Sequence, residues 1–184
     1  MQSNDHVSHV LAEWHRELPE LDRSAFEIVG RISRLAVLLL QELEPVFAAH
    51  DLTGGEFDVL AALRRAGRPY RLTPSELTQA LIVTSGGLTR RLHALEARGL
   101  ISRSLDPDDG RSTPVVLTST GKRLVEDVLS EHVGNEERLL SGLTEAERAQ
   151  LPGLLRALAL SLGDLEPGQA RRRREAVDHR QISA

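Results

Sequence analysis

Three things are scarce in this 184-residue chain: cysteine, aromatic side chains and long apolar runs. The absence of cysteine excludes disulfide bonds, thiolate metal ligands and cysteine-based redox sensing. Aromatic residues make up 3% of the chain, and its apolar residues are chiefly leucine, alanine and valine. Leucine and alanine favour helices, so the composition indicates a mainly α-helical core.

The longest apolar run, Leu35 to Leu40, is too short to cross a bilayer, which takes about 20 residues. The first residues, MQSNDHVSHV, lack the basic start and the apolar segment of a signal peptide. We therefore expect a cytoplasmic protein with no membrane partner.

Recognisable catalytic and metal-binding motifs are also missing. The sequence contains no phosphate-binding glycine loop, no HExxH pair and no nucleophile elbow. His6 and His9 could share a helix face near His15, but neither cysteine nor a close carboxylate cluster completes a metal site. We expect no enzyme activity, no metal and no cofactor.

The net charge of −4 is unevenly distributed. Residues 60–123 contain 11 lysines and arginines against 5 aspartates and glutamates, so this stretch carries +6 and the remainder −10. A basic middle in an acidic chain suits a local surface for nucleic-acid phosphates. A chance scatter of surface charge would give the same numbers, and charge alone does not decide between the two.

Amphipathic helices are predicted at both ends of the chain. Apolar residues at helical spacing predict a helix over residues 6–17 and a long one over 23–50. Pro45 falls inside the second, where we expect a kink or a break. Two further helices are predicted over 119–141 and 145–162.

Helix starts in the middle of the chain carry capping signals. The T-x-x-E sequences at 53–56 and 73–76 each fit a capping box, and Pro74 suits a first helical position. A third helix is predicted to begin at Thr84 or Ser85.

A change of pattern follows these helices. Residues 100–105 and 113–118 alternate apolar and polar side chains, and the turn formers DPDDGRS (106–112) separate them. This pattern predicts a two-stranded hairpin with a charged tip. The order of helix, turn, helix and hairpin over residues 73–118 is that of a winged helix-turn-helix.

The fold class is therefore mainly α with a small β-hairpin wing. The terminal helices are too apolar to stand alone, and a second copy of the chain is the simplest partner for their apolar stripes. We predict four segments: N-terminal helices of a dimerisation region (1–50), a winged helix-turn-helix DNA-binding domain (51–118), C-terminal dimerisation helices (119–163) and a disordered basic tail (164–184).

The second helix of a helix-turn-helix lies in the major groove, with its N-terminal part facing base edges. Here the corresponding segment carries short polar and cationic side chains at its leading end, namely Thr84, Ser85, Thr89, Arg90 and His93. An arginine that contacts guanine through two N–H groups gives about 1–3 kcal/mol of discrimination. We expect these residues to contact double-stranded DNA; an ordinary surface helix with two arginines is the alternative.

The predicted hairpin tip contains Asp109 and Arg111. An arginine at a wing tip can enter the narrow, electronegative minor groove, and a neighbouring carboxylate can hold it in place. We expect Arg111 to bind DNA and Asp109 to support it, although the same residues also suit a plain charged turn.

Longer strings in the middle of the chain are more specific. They read EFDVLAALRRAG, LTPSELTQAL and TSGGLTRRLHALEARGLISRSLDPDDGRSTPVVLTSTGKRL, and they cover about residues 56–124. In this stretch the chain resembles the MarR family of dimeric winged-helix regulators. The resemblance implies a homodimer whose terminal helices form the interface. It also implies that each subunit places one recognition helix and one wing on a palindrome.

The segment EWHRELPELD (13–22), with FDVLAALRRAGRPYRLTP and TSGGLTRRL, is similar to the PecS and urate-responsive branch of that family. That branch has a tryptophan in an extra N-terminal helix, an aspartate in the helix after the linker and an arginine in the recognition helix. These positions fall on Trp14, Asp58 and Arg91. The resemblance implies that the three line a pocket for urate or a related purine.

A planar urate anion suits an aromatic face, a guanidinium and a hydrogen-bonding carboxylate. We hypothesise a repressor that binds a pseudo-palindromic operator as a homodimer and is released by a small aromatic anion, such as urate, a related purine or a phenolic acid. Alternatively, Trp14 only fastens the extra helix and Asp58–Arg91 is a fixed salt bridge. The chain would then be a winged-helix module for DNA or protein that senses no small molecule.

Overall fold

The computed structural model describes residues 4–82, 87–103 and 113–165. The chain divides into two compact units, one that ends at Phe57 and one that starts at Asp58. The four functional segments expected from the sequence remain a prediction.

The first unit contains α1 (His6–Glu17), α2 (Ser24–Ala48) and the first turn of α3 (Gly54–Arg65). At the start of α1, Asp5 Oδ1 accepts a hydrogen bond from Ser8 N at 2.7 Å, which satisfies one of the unpaired amides of the first turn. Arg31 of α2 donates through Nε to the same carboxylate at 2.8 Å. One side chain therefore caps α1 and ties it to α2. Both predicted helices are confirmed.

Of the kink or break predicted at Pro45, the break is wrong, because α2 continues through that residue, and the kink stays a prediction. Pro45 lies in the last turn of the helix, and its carbonyl still accepts a hydrogen bond from Ala49 N at 3.1 Å. A proline removes only one donor from the helix, and near the end of α2 the loss is tolerated. Just beyond, Phe47 and Phe57 stack with ring centroids 4.7 Å apart, and both are buried together with Leu52.

The second unit contains the rest of α3 and eight further elements among the described residues: β1 (Arg71–Leu72), α4 (Pro74–Ala80), α5 (Leu88–Ala97), β2 (Ile101–Arg103), β3 (Val115–Leu117), α6 (Ser119–Leu139), a 3-10 turn (Leu140–Gly142) and α7 (Glu145–Ser161). The helices predicted over 119–141 and 145–162 are confirmed, with ends that nearly coincide. None of the described helices is long and apolar enough to cross a membrane.

The strands form an antiparallel sheet in the order β1–β3–β2. β2 and β3 are the predicted hairpin, with Ile101 opposite Leu117. β1 was not expected from the sequence; it pairs Arg71 with Val116 and makes the wing a three-stranded sheet. The hairpin tip, residues 104–112, lies outside the described residues.

Among the described residues, helix α5 begins at Leu88. Its N-cap is Gly87, whose φ of 77° lies in the left-handed region that favours glycine. Thr84 and Ser85, where the sequence predicts the start of this helix, belong to the segment 83–86, which lies outside the described residues.

We call residues 58–128 the lobe. Its apolar side chains come from α3, α4, α5, the strands and α6. Nine of them are less than 2% exposed: Leu60, Leu63, Leu77, Leu95, Ile101, Val59, Val115, Val125 and Val128. The amphipathic helices and short strands predicted from the sequence thus enclose a core of their own.

The start of α6 lies close against the main chain that follows α5. Thr118 donates to the carbonyl of Leu100 through both N and Oγ1, at 3.1 and 3.0 Å, and its Oγ1 also donates to Gly99 O at 2.8 Å. A Cβ on Gly121 would lie 2.0 Å from Leu100 O. The absence of a side chain at position 121 is what allows this approach.

Two helices leave rows of apolar side chains exposed. On α2 these include Ile28, Val29, Leu35, Val37, Leu38, Leu39 and Leu40, and on α7 they are Leu151, Leu154, Leu155, Leu158 and Leu160. α2 buries only Phe47, and α7 buries no residue. One row lies in each unit, and we use the term exposed apolar face for either of them.

Candidate nucleic-acid interface

A capping box fixes the first helix of the helix-turn-helix. Thr73 Oγ1 accepts from Glu76 N at 3.2 Å, and Glu76 accepts in return from Thr73 N at 2.8 Å. The hydrogen bonds that the Glu76 carboxylate accepts from Thr73 N and, at 2.9 Å, from Thr73 Oγ1 hold the pKa of Glu76 below its usual range. Pro74 occupies the first helical position, and Leu77 is fully buried beneath the helix. The predicted box is therefore confirmed, and α4 is anchored at both its cap and its core face.

One face of α5 points into the core and another to solvent. Leu92 and Leu95 are buried, whereas Thr89, Arg90 and His93 are exposed. The exposed side chains are those predicted to meet base edges, and their role in DNA binding stays a prediction. The other predicted DNA contacts, at Thr84, Ser85 and Arg111, and the supporting Asp109 lie outside the described residues.

The end of α5 is joined to the wing by an ion pair. Glu96 on α5 accepts from Arg103 on β2, at 2.9 Å from Nε and through a second bond from a terminal guanidinium nitrogen. The hydrogen bonds from Arg103 hold the pKa of Glu96 below its usual range. Sequence reasoning missed this pair, although an acid and an arginine seven residues apart across a helix-to-strand turn were available as a signal.

The other edge of the sheet is held from α3 and α6. The Arg64 guanidinium lies 5.2 Å from the centre of the Tyr70 ring, and Tyr70 O accepts from Leu117 N at 3.0 Å. Arg64 also donates to Glu126 at 2.8 Å. That bond, with a second one from Lys122, lowers the pKa of Glu126. The strands of the wing are thereby joined to two helices of the lobe.

Asp58, predicted to act in a ligand pocket, is a buried carboxylate on α3, with 7% of the residue exposed. Its Oδ2 accepts a hydrogen bond from Ile82 N at 3.0 Å. Ile82 follows Leu81, the C-cap of α4, on the path to α5. The aspartate thus holds the main chain of the turn between the two helices, a contact that sequence reasoning did not foresee.

Arg91, predicted to bind the same ligand, lies half-buried on the first turn of α5, where its N–H donates to Gly87 O at 3.1 Å. Trp14 lies on α1 and is 43% exposed. Trp14 belongs to the first compact unit, and Asp58 and Arg91 belong to the second. A shared pocket for the three side chains stays a prediction.

A second side chain of α3 reaches the same turn. Arg65 donates through a terminal nitrogen to the carbonyl of Ala80 at 2.7 Å. Sequence reasoning assigned no role to Arg65. The only signal was its spacing of seven residues from Asp58, which places both on one face of α3.

Groups of three or more metal-ligating side chains are not found in the described parts of the chain. The chemistry available around α4, α5 and the wing is that of exposed cations and hydrogen-bond donors.

Residues 50–112 match a model described as the MarR family. The HTH-type transcriptional regulator PecS of Dickeya dadantii (strain 3937) is 39% identical over 149 residues, which covers 81% of this chain and 90% of PecS.

Two of the solved structures that resemble this chain also align with it over most of its length. Bordetella bronchiseptica BpsR, whose DNA binding is regulated by 6-hydroxynicotinic acid, aligns with a TM-score of 0.63 at 29% identity, over 72% of this chain and 94% of BpsR. S. aureus MepR, solved in complex with DNA, aligns with a TM-score of 0.63 at 27% identity, over 72% of this chain and 96% of MepR.

Proposed function

This chain belongs to the MarR family of winged-helix transcriptional regulators, and we propose that it is a homodimeric repressor released from its operator by a small aromatic anion. The family resemblance seen in the sequence is thereby confirmed. Like its relatives, the chain is a DNA-binding regulator and not an enzyme. The repression, the dimer and the effector are the proposal.

The exposed apolar face supports the dimer. Side chains such as Leu40 and Leu154 are 61% and 68% exposed in the single chain, which costs free energy unless a partner covers them. A two-fold dimer would place its recognition helices about 34–36 Å apart, one turn of DNA, on a pseudo-palindromic operator.

The exposed side chains of α5 support a role for this helix in recognising the DNA sequence. Thr89, Arg90 and His93 face away from the core and are proposed to meet base edges together with Thr84 and Ser85. Arg111, supported by Asp109, is proposed to enter the minor groove. Arg90→Ala should then lose sequence preference. Arg111→Ala should weaken binding to all sequences and lessen its salt dependence. Unchanged affinity and specificity in both variants would contradict this assignment.

The observation that carries the effector proposal is the hydrogen bond from Ile82 N to the buried carboxylate of Asp58. If Arg91 meets Asp58, as the sequence predicts, an anion bound to Arg91 would place negative charge near this carboxylate and disturb its hold on the turn before α5. Trp14 would supply an aromatic face for a planar ligand. 6-Hydroxynicotinic acid, which regulates BpsR, is itself a small aromatic acid. The proposed effector is therefore urate, a related purine or a phenolic acid.

Titration of urate tests the sensor directly, because Trp14 is the only tryptophan of the chain. We expect saturable quenching in the wild type and weaker binding in Arg91→Ala, since a charge-assisted hydrogen bond is worth about 1.5–3 kcal/mol. Arg98→Ala, at the other end of α5, is the matched control and should bind as the wild type does.

Release is measured by repeating the titration with DNA present. Asp58→Asn should reduce release of DNA more than it reduces urate binding, because release requires that the effector prefer the DNA-incompetent state. Purines and phenolic acids are titrated in the same way. If no compound quenches Trp14, the alternative applies, and the chain is a winged-helix module without small-molecule sensing. If Arg91→Ala binds urate as well as the wild type, Trp14, Asp58 and Arg91 have structural roles and are not the ligand site.

A further inference from the structure

We infer that Arg65 is a positioning residue for the DNA-reading helix, acting with Asp58 as a two-point clamp on the main chain between α4 and α5. Nothing in the family comparison assigns a role to Arg65. This role rests on the proposed function, in which α5 contacts the DNA bases, because the clamp would set the position of that helix.

The clamp has two arms that leave the same face of α3. Asp58 and Arg65 are seven residues apart, which is about two turns of helix. The carboxylate of Asp58 accepts from Ile82 N at 3.0 Å, and the guanidinium of Arg65 donates to Ala80 O at 2.7 Å. The two groups held are the backbone amide and carbonyl on either side of Leu81.

The segment that is clamped leaves the helical path at this point. Leu81 is the C-cap of α4, and its ψ of 139° is extended. The carbonyl of Ala80, at the end of a seven-residue helix, is one of those that no helical amide can reach. Arg65 supplies a charged donor for it, and hydrogen bonds to charged groups are stronger than those between neutral ones.

Rigid support on both sides of Leu81 fixes the direction in which the chain leaves α4. The backbone of α3 is itself held by Val59, Leu60 and Leu63, none of which has exposed surface. The two arms therefore reach the turn from a buried and stable helix. Displacement of either arm would shift the origin of α5 relative to α3, and with it the exposed side chains Arg90 and His93.

Arg65 is also an exposed cation, so a direct contact with a DNA phosphate is the competing role. The two roles differ in their salt dependence. Loss of one phosphate contact lowers the affinity for every sequence and reduces the slope of log K against log salt by about 0.9. Loss of a positioning contact lowers the affinity for the preferred sequence and leaves that slope unchanged.

The experiment uses the full chain and two duplexes: the one recovered by the wild type from a random-sequence pool, and a scrambled duplex of the same composition. Affinities are measured by fluorescence anisotropy over a range of salt concentrations. Arg65→Ala should bind the selected duplex about tenfold more weakly, as expected for the loss of one charge-assisted hydrogen bond. Its affinity for the scrambled duplex and its salt slope should stay at the wild-type values.

Arg68→Ala is the matched control, because it removes the same charge from the exposed turn after α3. Its ratio of selected to scrambled affinity should equal that of the wild type. Hydrogen exchange of the DNA-free protein gives an independent measurement. Peptides covering α4 and α5 should exchange faster in Arg65→Ala, and those covering α6 should not change.

Equal losses on both duplexes with a reduced salt slope, unchanged affinity for both, or an equal fall of the ratio in Arg68→Ala would each overturn the inference. Arg90→Ala separates this failure from failure of the proposed function. If Arg90→Ala lowers the ratio and Arg65→Ala does not, only the clamp is wrong. If neither lowers it, α5 does not read the sequence.

Discussion

Leucine-rich stripes run along the helices of the lobe and also along α2 and α7, but the two sets of helices use them differently. All nine of the most deeply buried side chains lie between Val59 and Val128. Over its 25 residues α2 buries only Phe47, and over its 17 residues α7 buries none. The same pattern of apolar residues thus marks a core completed within one chain in the lobe and an uncovered surface elsewhere.

The difference shows what an amphipathic stripe can and cannot tell. A period of 3.6 residues states that one face of a helix avoids water. It does not state whether the covering surface belongs to the same chain. In this protein the lobe supplies its own cover, and the exposed apolar face calls for the second copy proposed above.

The largest expected effect concerns the lobe, whose core is completed within one chain. Gly121→Ala places a Cβ 2.0 Å from the carbonyl of Leu100, and a backbone atom cannot give way as a flexible side chain can. We expect the free energy of unfolding of the lobe to fall by at least about 3 kcal/mol. Urea unfolding followed by circular dichroism measures the loss.

Gly134→Ala in the same helix is the control, because among the described residues no atom lies within 4 Å of its added Cβ. Alanine favours a helix interior over glycine, so this variant should gain up to about 1 kcal/mol. Equal stability of the two variants would contradict the close approach of α6 to Leu100.

The next largest effect concerns the exposed apolar face. Leu154→Glu introduces a charge into the exposed apolar face, at a side chain that is 68% exposed in the single chain. If a second copy covers this face, burial of the charge should raise the dimer dissociation constant at least about 100-fold. Sedimentation equilibrium measures that constant.

Ala149→Glu adds the same charge on the side of α7 away from Leu154 and Leu158, about three turns before Leu160, and should leave the dimer intact. A wild type that sediments as a monomer at micromolar concentration would show that the exposed apolar face has no second copy to cover it. So would a Leu154→Glu variant that dimerises as strongly as the wild type.

Two capping boxes of the same kind, one in the lobe and one at the start of α7, allow a test with a smaller expected effect. Thr73 caps α4 in the lobe, and Thr144 caps α7, each with a glutamate three residues later. Substitution of either threonine by alanine should cost about 1 kcal/mol of unfolding free energy. Only Thr73→Ala should also weaken operator binding, because α4 leads into α5. Equal DNA affinities of the two variants in an anisotropy titration would contradict this division.

The smallest effect concerns pH. Hydrogen bonds from Ser8 lower the pKa of Asp5 from 3.8 to about 2. Because the folded pKa is the lower one, the stabilisation of α1 is complete above the unfolded value and is lost as the pH falls from about 4 to about 2. The protection factors of the α1 amides, which correct for the pH dependence of intrinsic exchange, should fall over that range in the wild type. Asp5→Asn keeps a capping side chain without the charge, and its α1 exchange should not show this titration.

The sequence predicted most of the helices because their signals are local. Thr73 and Glu76, for example, lie three residues apart and satisfy each other's backbone amides, so the box is readable from the residues alone. Strand β1 was not predicted because it has only two residues and its partner, Val116, lies far along the chain. A period cannot be recognised in so short a segment.

The sequence predicted which side chains of the candidate site are exposed, but it did not predict which main-chain groups the other side chains bind. The exposure of Arg90 and His93 follows from the helical spacing of the buried leucines around them. The hydrogen bond that the Asp58 carboxylate accepts from Ile82 N was not predicted, whereas the expected contact of Asp58 with Arg91 stays a prediction. Arg65 likewise holds a carbonyl, that of Ala80. Backbone groups are present at every residue, so no side-chain pattern announces which of them will be bound.

The exposed apolar face also links stability to protein abundance. A fold that is completed by a second copy gains stability with concentration, because association obeys mass action. At a few copies per cell, a larger fraction of the chains would present α2 and α7 uncovered to proteases and chaperones than at high expression. The number of molecules in the cell would then set both the occupancy of the operator and the lifetime of the regulator itself.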